Sequence, residues 1–236
     1  LDYNGDYETV YSSSVSDKAE LLSAFKALAY YKFSDNNRAF VSVSTGYKAG
    51  GVNQNPFISD ENKYYSPEQN INFELGGKSF SKDASYQATV FYMLRENLQV
   101  SISDQQDPQN PNSFYYYTSN ASSGHNYGVE IEGSQIFFNN KVKLSSSFGY
   151  LQTWTDQYEF YIDATNVENR GEREQSNAPK YTYSATVDVM PTDNLVITTD
   201  YSFRDRFYFS DSHHLSLEIN KKIMSEVALV IDHKER

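Results

Sequence analysis

Residues 38–53 read Arg38-Ala-Phe-Val-Ser-Val-Ser-Thr-Gly-Tyr-Lys-Ala-Gly-Gly-Val-Asn53. Alternation is strict through the middle. Ala39, Val41, Val43, Thr45 and Tyr47 fall on one face; Ser42, Ser44 and Gly46 fall on the other. A period of two means a β-strand, here with one apolar and one small polar face. The strand breaks at Gly50-Gly51, where two glycines release the chain into a loop.

The same pattern recurs outward from this stretch. Leu21 to Phe33 reads as a strand with imperfect alternation, its Ala-rich residues leaving a helix as the alternative, and Ser34-Asp35-Asn36-Asn37 is a tight polar turn. Downstream, Ile71, Phe73 and Leu75 alternate with Asn72 and Glu74. Tyr86, Ala88, Val90, Tyr92 and Leu94 alternate with Gln87, Thr89 and Arg95. Tyr127, Val129 and Ile131 oppose Glu130 and Glu132. Asn139-Asn140 has the composition of a two-residue hairpin turn, since Asn tolerates positive φ. Val142 to Tyr150, Tyr181 to Val189 and Leu195 to Phe203 continue the rhythm, with a turn at Pro191 to Asn194. Leu215 to Ile219 is a further strand; a turn at Met224-Ser225 then leads into a last strand from Glu226.

This is an all-β antiparallel meander of about ten strands. Short turns fall near residues 35, 82, 139, 192 and 224. Long loops fall at 49–66, 98–123 and 155–178, with a shorter one at 209–213. Sorting connections by length onto two rims is the pattern of an outer-membrane barrel, and a soluble sandwich has no reason to do it. Mid-strand charges point the same way. Glu130, Glu132, Lys143, Asp188, Asp200 and Arg204 all lie on the non-apolar side. In a dry core each unpaired charge would cost several kcal/mol. A wide, wet lumen accommodates them.

Composition bounds what else the chain can be. It has 236 residues, a net charge of −11, 21 Tyr, 15 Phe and no Cys. Mean hydropathy is −0.67, and no apolar run is long enough for a transmembrane helix. A membrane barrel alternates its faces, so it reads as soluble on average. Disulfides and thiolate metal sites are excluded. The acidic balance argues against nucleic-acid binding. His125, His213, His214 and His233 have no metal-ligand spacing, so neither a metal, a cofactor nor enzyme chemistry is expected.

Three phrases resemble TonB-dependent outer-membrane receptors of the siderophore-receptor kind. The end of the first stretch is similar to the family's GYKAGGFN phrase, matching at Gly46, Tyr47, Lys48, Gly50, Gly51 and Asn53. Gly124 to Gly133, GHNYGVEIEG, resembles its YGVE(L/F)EG strand. Pro179 to Phe207 resembles its paired late strands. The resemblance implies that residues 1–236 are an open segment of a 22-stranded barrel around a plug. With the strand at 38–48 ascending, the one from Glu226 also ascends. The segment then spans about strands 12 to 21, with the plug, early strands and final strand absent.

The implied function is outer-membrane uptake of a scarce solute, most often a ferric siderophore. Its implied partners are outer-membrane lipid and lipopolysaccharide, the iron-complex cargo, and the TonB complex through the missing N-terminal region. A passive porin-like channel and a soluble glycan-binding module are the alternatives. Candidate ligand contacts are Tyr47, Lys48, Tyr115, Tyr116, Tyr117, Trp154, Tyr158 and Tyr161, whose aromatic faces suit a planar chelate. For Tyr47, Tyr150 and Trp154 the competing role is an interfacial girdle. The loop at 155–178 holds six acids against Arg170 and Arg173, a funnel that would repel a strongly anionic chelate.

Overall fold

The structure, a computed structural model, describes residues 21–55, 58–105, 107, 109–110, 113–120, 123–161, 167–208 and 222–231. Nine strands form one antiparallel sheet in meander order: β1 (Lys26–Lys32), β2 (Asn37–Lys48), β5 (Glu68–Phe80), β6 (Ala84–Glu96), β9 (Gly124–Phe137), β10 (Val142–Thr155), β13 (Tyr181–Thr192), β14 (Leu195–Arg204) and β15 (Lys222–Ile231). The remaining strands make three separate hairpins: β3 (Gly51–Val52) with β4 (Tyr64–Tyr65), β7 (Gln99–Gln105) with β8 (Phe114–Asn120), and β11 (Tyr158–Tyr161) with β12 (Val167–Arg170).

Register turns the sequence alternation into continuous rows. Tyr31, Ala39, Gly77, Ala88, Ile131, Phe148, Tyr183 and Phe203 lie opposite one another from β1 to β14. Ala29, Val41, Leu75, Val90, Val129, Tyr150 and Tyr181 form the next apolar row. The opposite face carries rows such as Gln87, Glu132, Ser147, Ser184 and Ser202. Among the described residues nothing covers the middle of the apolar face: Val41 is 52% exposed, Leu75 54% and Ile131 46%. Val43, Val187 and Ile197 are half-buried. A soluble sheet would cover such a face, whereas lipid covers it in a membrane wall.

Three carboxylates on the polar face are held by neighbouring strands. Ser42 donates to Glu74 at 2.6 Å, Thr186 to Asp200 at 2.5 Å and Thr198 to Asp188 at 2.7 Å. These lateral hydroxyl–carboxylate bonds satisfy the charged oxygens and reinforce the ladder.

Glycines on the wall sit under rings of the adjacent strand. Phe40 lies opposite Gly76, Phe91 opposite Gly128 and Tyr86 opposite Gly133, and each ring occupies the space a Cβ would take. A cross-strand aromatic thus supplies the packing that glycine lacks. At the β9–β10 turn, Asn139 and Asn140 both have positive φ (52° and 67°), and Lys141 N–H donates to Phe138 at 3.3 Å. The ladder closes at Phe137 and Val142, so the connection is the four residues Phe138 to Lys141, longer than the two-residue turn expected at Asn139-Asn140, with Phe138 also at positive φ (52°).

Short turns at 33–36, 81–83, 138–141 and 193–194 share one rim, and the long connections share the other. Several expectations need correction. The loops at 49–66, 98–123 and 155–178 are hairpins with their own ladders. There is no turn at Met224-Ser225. Lys222 to Ile231 is one strand, with Ser225 opposite Tyr201 in an unbroken register, because serine and methionine both fit a strand interior. β15 therefore runs toward the short-turn rim, not away from it, and the placement at strands 12 to 21 loses its basis. Leu215 to Ile219 lies outside the described residues. Pro191 belongs to β13, at a register shift between Val189 and Thr192, where its missing N–H breaks no ladder bond. Among the described residues no ladder joins β1 to β15, so the sheet has two open edges.

Candidate functional site

The three hairpins stand together at the long-connection rim. In β7 and β8 the alternation sends Val100, Ile102 and Tyr117 to one side, with Ile102 directly opposite Tyr117. Tyr158 of β11 joins them, and all four are 5–8% exposed. Ile58 and Tyr115 pack against the cluster. Among the described residues this is the hydrophobic core, and it lies in the loops rather than in the wall. The reason is geometric. One wall face meets lipid and the other meets the lumen, so only the loops can bury side chains against each other.

Amides tie the hairpins at their bases. Asn53 Nδ2 donates to the carbonyls of Asn62 (2.7 Å) and Thr118 (2.8 Å), while its Oδ1 accepts from Thr118 N–H at 2.9 Å. Asn120 Oδ1 accepts from Ser66 N–H at 2.6 Å, and its Nδ2 donates to the Ser66 and Asn97 carbonyls, both at 2.9 Å. Gln99 Nε2 reaches the Ala49 carbonyl at 2.9 Å. Each side chain substitutes for a missing strand partner, satisfying backbone groups that the loops would otherwise leave unpaired.

Beneath the hairpins lies a polar floor centred on Arg95 and Glu68. The guanidinium grips Glu68 Oε1 through Nε at 3.0 Å and through Nη2. Its Nη1 donates to Gln175 Oε1 at 2.5 Å. Glu68, 7% exposed, also accepts the Gln99 N–H at 3.2 Å. Gln175 is fixed in turn: its N–H donates to Thr153 Oγ1 at 2.9 Å. The strand β10 continues into this segment through Thr155, whose N–H donates to the Arg173 carbonyl at 3.0 Å. Gly171, at φ +98°, presses against the Asp156 carbonyl, where any Cβ would clash. A cavity of about 150 Å3 sits here, lined by Arg95, Gln99, Tyr158, Arg173, Glu174 and Gln175 among others. The Arg173 guanidinium stacks over the Tyr208 ring at 5.3 Å.

The candidate contacts do not converge on one place. Tyr117 and Tyr158 are buried in the loop core, and Tyr115 packs against it. Tyr116 points to the opposite side of β8 and is 68% exposed. Lys48 is exposed at the end of β2, opposite Glu68. Tyr47 and Trp154 lie at the loop end of the apolar face. Near them Tyr92, His125 and Tyr127 stack in a column, with centroid spacings of 6.1 and 6.5 Å. Tyr161 is the last residue of β11, paired with Val167. The Arg95–Glu68–Gln175 floor was not among the candidates. Its one sequence signal is that Glu68 and Arg95 occupy polar-face positions at the loop ends of neighbouring strands.

An open meander with one lipid-compatible face, one polar face and elaborate loops on a single rim is a segment of a large outer-membrane barrel. Residues 2–216 match the family described as TonB dependent receptor-like, beta-barrel. The chain belongs to that family, whose members reside in the outer membrane of Gram-negative bacteria. The ferric yersiniabactin uptake receptor FyuA from Yersinia pestis superposes with a TM-score of 0.65 at 21% identity, over 86% of this chain and 29% of that one. The siderophore receptor PiuA from Acinetobacter baumannii gives 0.67 at 16% identity, over 86% and 28%. In sequence, the pesticin receptor of Yersinia pestis is 33% identical over 72 residues, covering 30% of this chain and 11% of that protein. The chain thus spans less than a third of the length of these two solved receptors.

Proposed function

We propose that this wall belongs to a TonB-driven receptor that imports an iron–siderophore complex across the outer membrane. The observation that supports the reading best is the pairing of a bare apolar face with a folded cap at one rim only. The wall spans the bilayer, and the interlocked hairpins present a structured surface at the outer mouth. Cargo meets the exposed side chains there first, Tyr116 and Lys48 among the candidates. Tyr47 and Trp154, on the apolar face at the same rim, hold the headgroup level and contact lipid and lipopolysaccharide. Energy enters through a TonB contact outside residues 21–231. The test is uptake of radiolabelled iron by cells carrying the full-length receptor, offered a panel of ferric siderophores, with and without TonB. Uptake of at least one chelate that vanishes without TonB is expected. Equal diffusion of unrelated small solutes, independent of TonB, would mean a passive channel instead.

A further inference from the structure

We propose that Asn53 and Asn120 are positioning residues: their side-chain amides lock the first two long connections into one unit and so fix where Tyr116 stands at the outer mouth. The proposal rests on reading that mouth as the place where an iron–siderophore cargo is first met. The two connections carry separate hairpins, β3–β4 and β7–β8, and among the described residues no ladder joins one to the other. The amides stand in for that ladder. Asn53 Nδ2 donates to the Thr118 carbonyl at 2.8 Å, and Asn53 Oδ1 accepts the Thr118 N–H at 2.9 Å. Asn120 Oδ1 accepts the Ser66 N–H at 2.6 Å, and Asn120 Nδ2 donates to the Ser66 carbonyl at 2.9 Å. A donor and an acceptor aimed at the two backbone groups of one residue is what a hydrogen-bonded partner supplies in an antiparallel pair. The exchange is reciprocal. Asn53 belongs to the first connection and binds the second; Asn120 belongs to the second and binds the first.

The clasp grips β8 close to its exposed ring. Alternation puts Tyr116 and Thr118 on one side of the strand and buried Tyr117 on the other. Holding the backbone at Thr118 therefore holds the ring two residues earlier, which is 68% exposed. The first hairpin is shaped to present Asn53. Gly51 lies opposite Tyr65, and a Cβ there would collide with the Tyr65 ring. The Asn53 N–H donates to the Lys63 carbonyl at 2.8 Å. Asn53 thus closes its own hairpin with its backbone and holds the next hairpin with its side chain.

The remaining contacts leave the angle between the hairpins to the amides. The buried cluster of Val100, Ile102, Tyr117 and Tyr158 ties β7–β8 to β11, and only Ile58 reaches it from the first connection. Asn62 Nδ2 meets the Tyr117 hydroxyl at 3.3 Å, near the limit of a hydrogen bond. Each hairpin keeps its own ladder without the amides, and the wall is not touched. Losing them therefore shifts the hairpins against each other rather than unfolding the receptor. The donor matters as much as the shape. Asn53 Nδ2 faces two carbonyls, those of Asn62 and Thr118. A carboxylate of the same size would set an anionic oxygen against both.

Two measurements on the full-length receptor test the clasp. The first is amide hydrogen exchange at Ser66 and Thr118. If the amides lock one unit, Asn53→Ala speeds exchange at Ser66 as well as at Thr118, and Asn120→Ala speeds it at Thr118 as well as at Ser66. Variants that each free only their own partner would show two independent caps and overturn the proposal. The second is the concentration dependence of iron uptake by cells, with a radiolabelled ferric catecholate, a ferric hydroxamate and a ferric carboxylate chelate as probes. For a chelate that the parent imports, either Ala variant should raise KM about tenfold, the scale of losing one or two net hydrogen bonds. Vmax and the amount of receptor in the outer membrane should stay as they are. Asn53→Asp should follow Asn53→Ala. An unchanged KM, a loss that tracks the amount of receptor, or parent-like uptake by Asn53→Asp overturns the positioning role. The iron reading fails separately, before any variant is made, if the parent imports none of the three chelates, and the positioning role falls with it.

Discussion

Single atoms decide which glycines of this wall can change. A Cβ on Gly128 would meet the Tyr150 carbonyl and the Phe91 ring, so either the strand or the ring must move. Gly128→Ala should cost about 1–3 kcal/mol, the range for overpacking. On Gly77 the nearest atom is the Arg38 carbonyl oxygen at 3.7 Å, ordinary contact. Gly77→Ala should stay within about 0.5 kcal/mol of the parent. Urea unfolding of the full-length receptor in detergent, followed by tyrosine fluorescence, compares the two. Faces matter as much as contacts. Val90→Arg, mid-strand on the apolar face, should cost about 2–4 kcal/mol of folding into lipid vesicles, whereas Glu130→Gln on the polar face should be nearly neutral. Equal effects of the two would mean the faces are assigned the wrong way round.

At the scale of elements, the hairpins behave as one unit because they share a core and a keystone. Tyr117 of β8 and Tyr158 of β11 share one apolar cluster. Arg95 on β6 binds both the start of β5, through Glu68, and the β10–β13 connection, through Gln175. Removing one partner of a buried pair leaves the other charge uncompensated, at roughly 3–5 kcal/mol in the fully buried limit and less for this partly exposed arginine. Arg95→Ala should therefore raise amide exchange across β7–β8 and across residues 171–177 together, with the mid-wall strands still protected. Exchange that rises in only one of these segments would show that the hairpins open independently. The aromatic column of Tyr92, His125 and Tyr127 is different in kind, since it belongs to the wall and should not respond.

For the whole molecule, the open edges set the behaviour. Among the described residues β1 pairs only with β2, and β15 only with β14, so each presents an unpaired row of backbone groups. In a complete barrel neighbouring strands satisfy both. Residues 21–231 expressed alone should sediment as aggregates and fail to float with lipid vesicles, while the full-length receptor inserts. Stable insertion of the isolated piece as a monomer would show that the two edges can close on each other.

The strand phases, the face each side chain takes and the sorting of turns by length were legible in the sequence. Alternation is local: each residue reports its own face, and Val41, Val90 and Ile131 could be placed without knowing any neighbour strand. Asn139-Asn140 likewise announces its turn through its own backbone preference. The hairpins hidden in the long loops were not legible, because short strands carry too few alternations to show a period; nor was the continuity of Lys222 to Ile231, where Ser225 interrupts the alternating row Ile223, Val227, Leu229 and Ile231. The Arg95 floor joins residues 27 and 80 positions apart in sequence. Lys32, Arg38 and Lys78 lie side by side only because register sets them so. Register is a property of pairs of strands, fixed by ladder bonds and turn lengths together, and no single stretch of the chain encodes it.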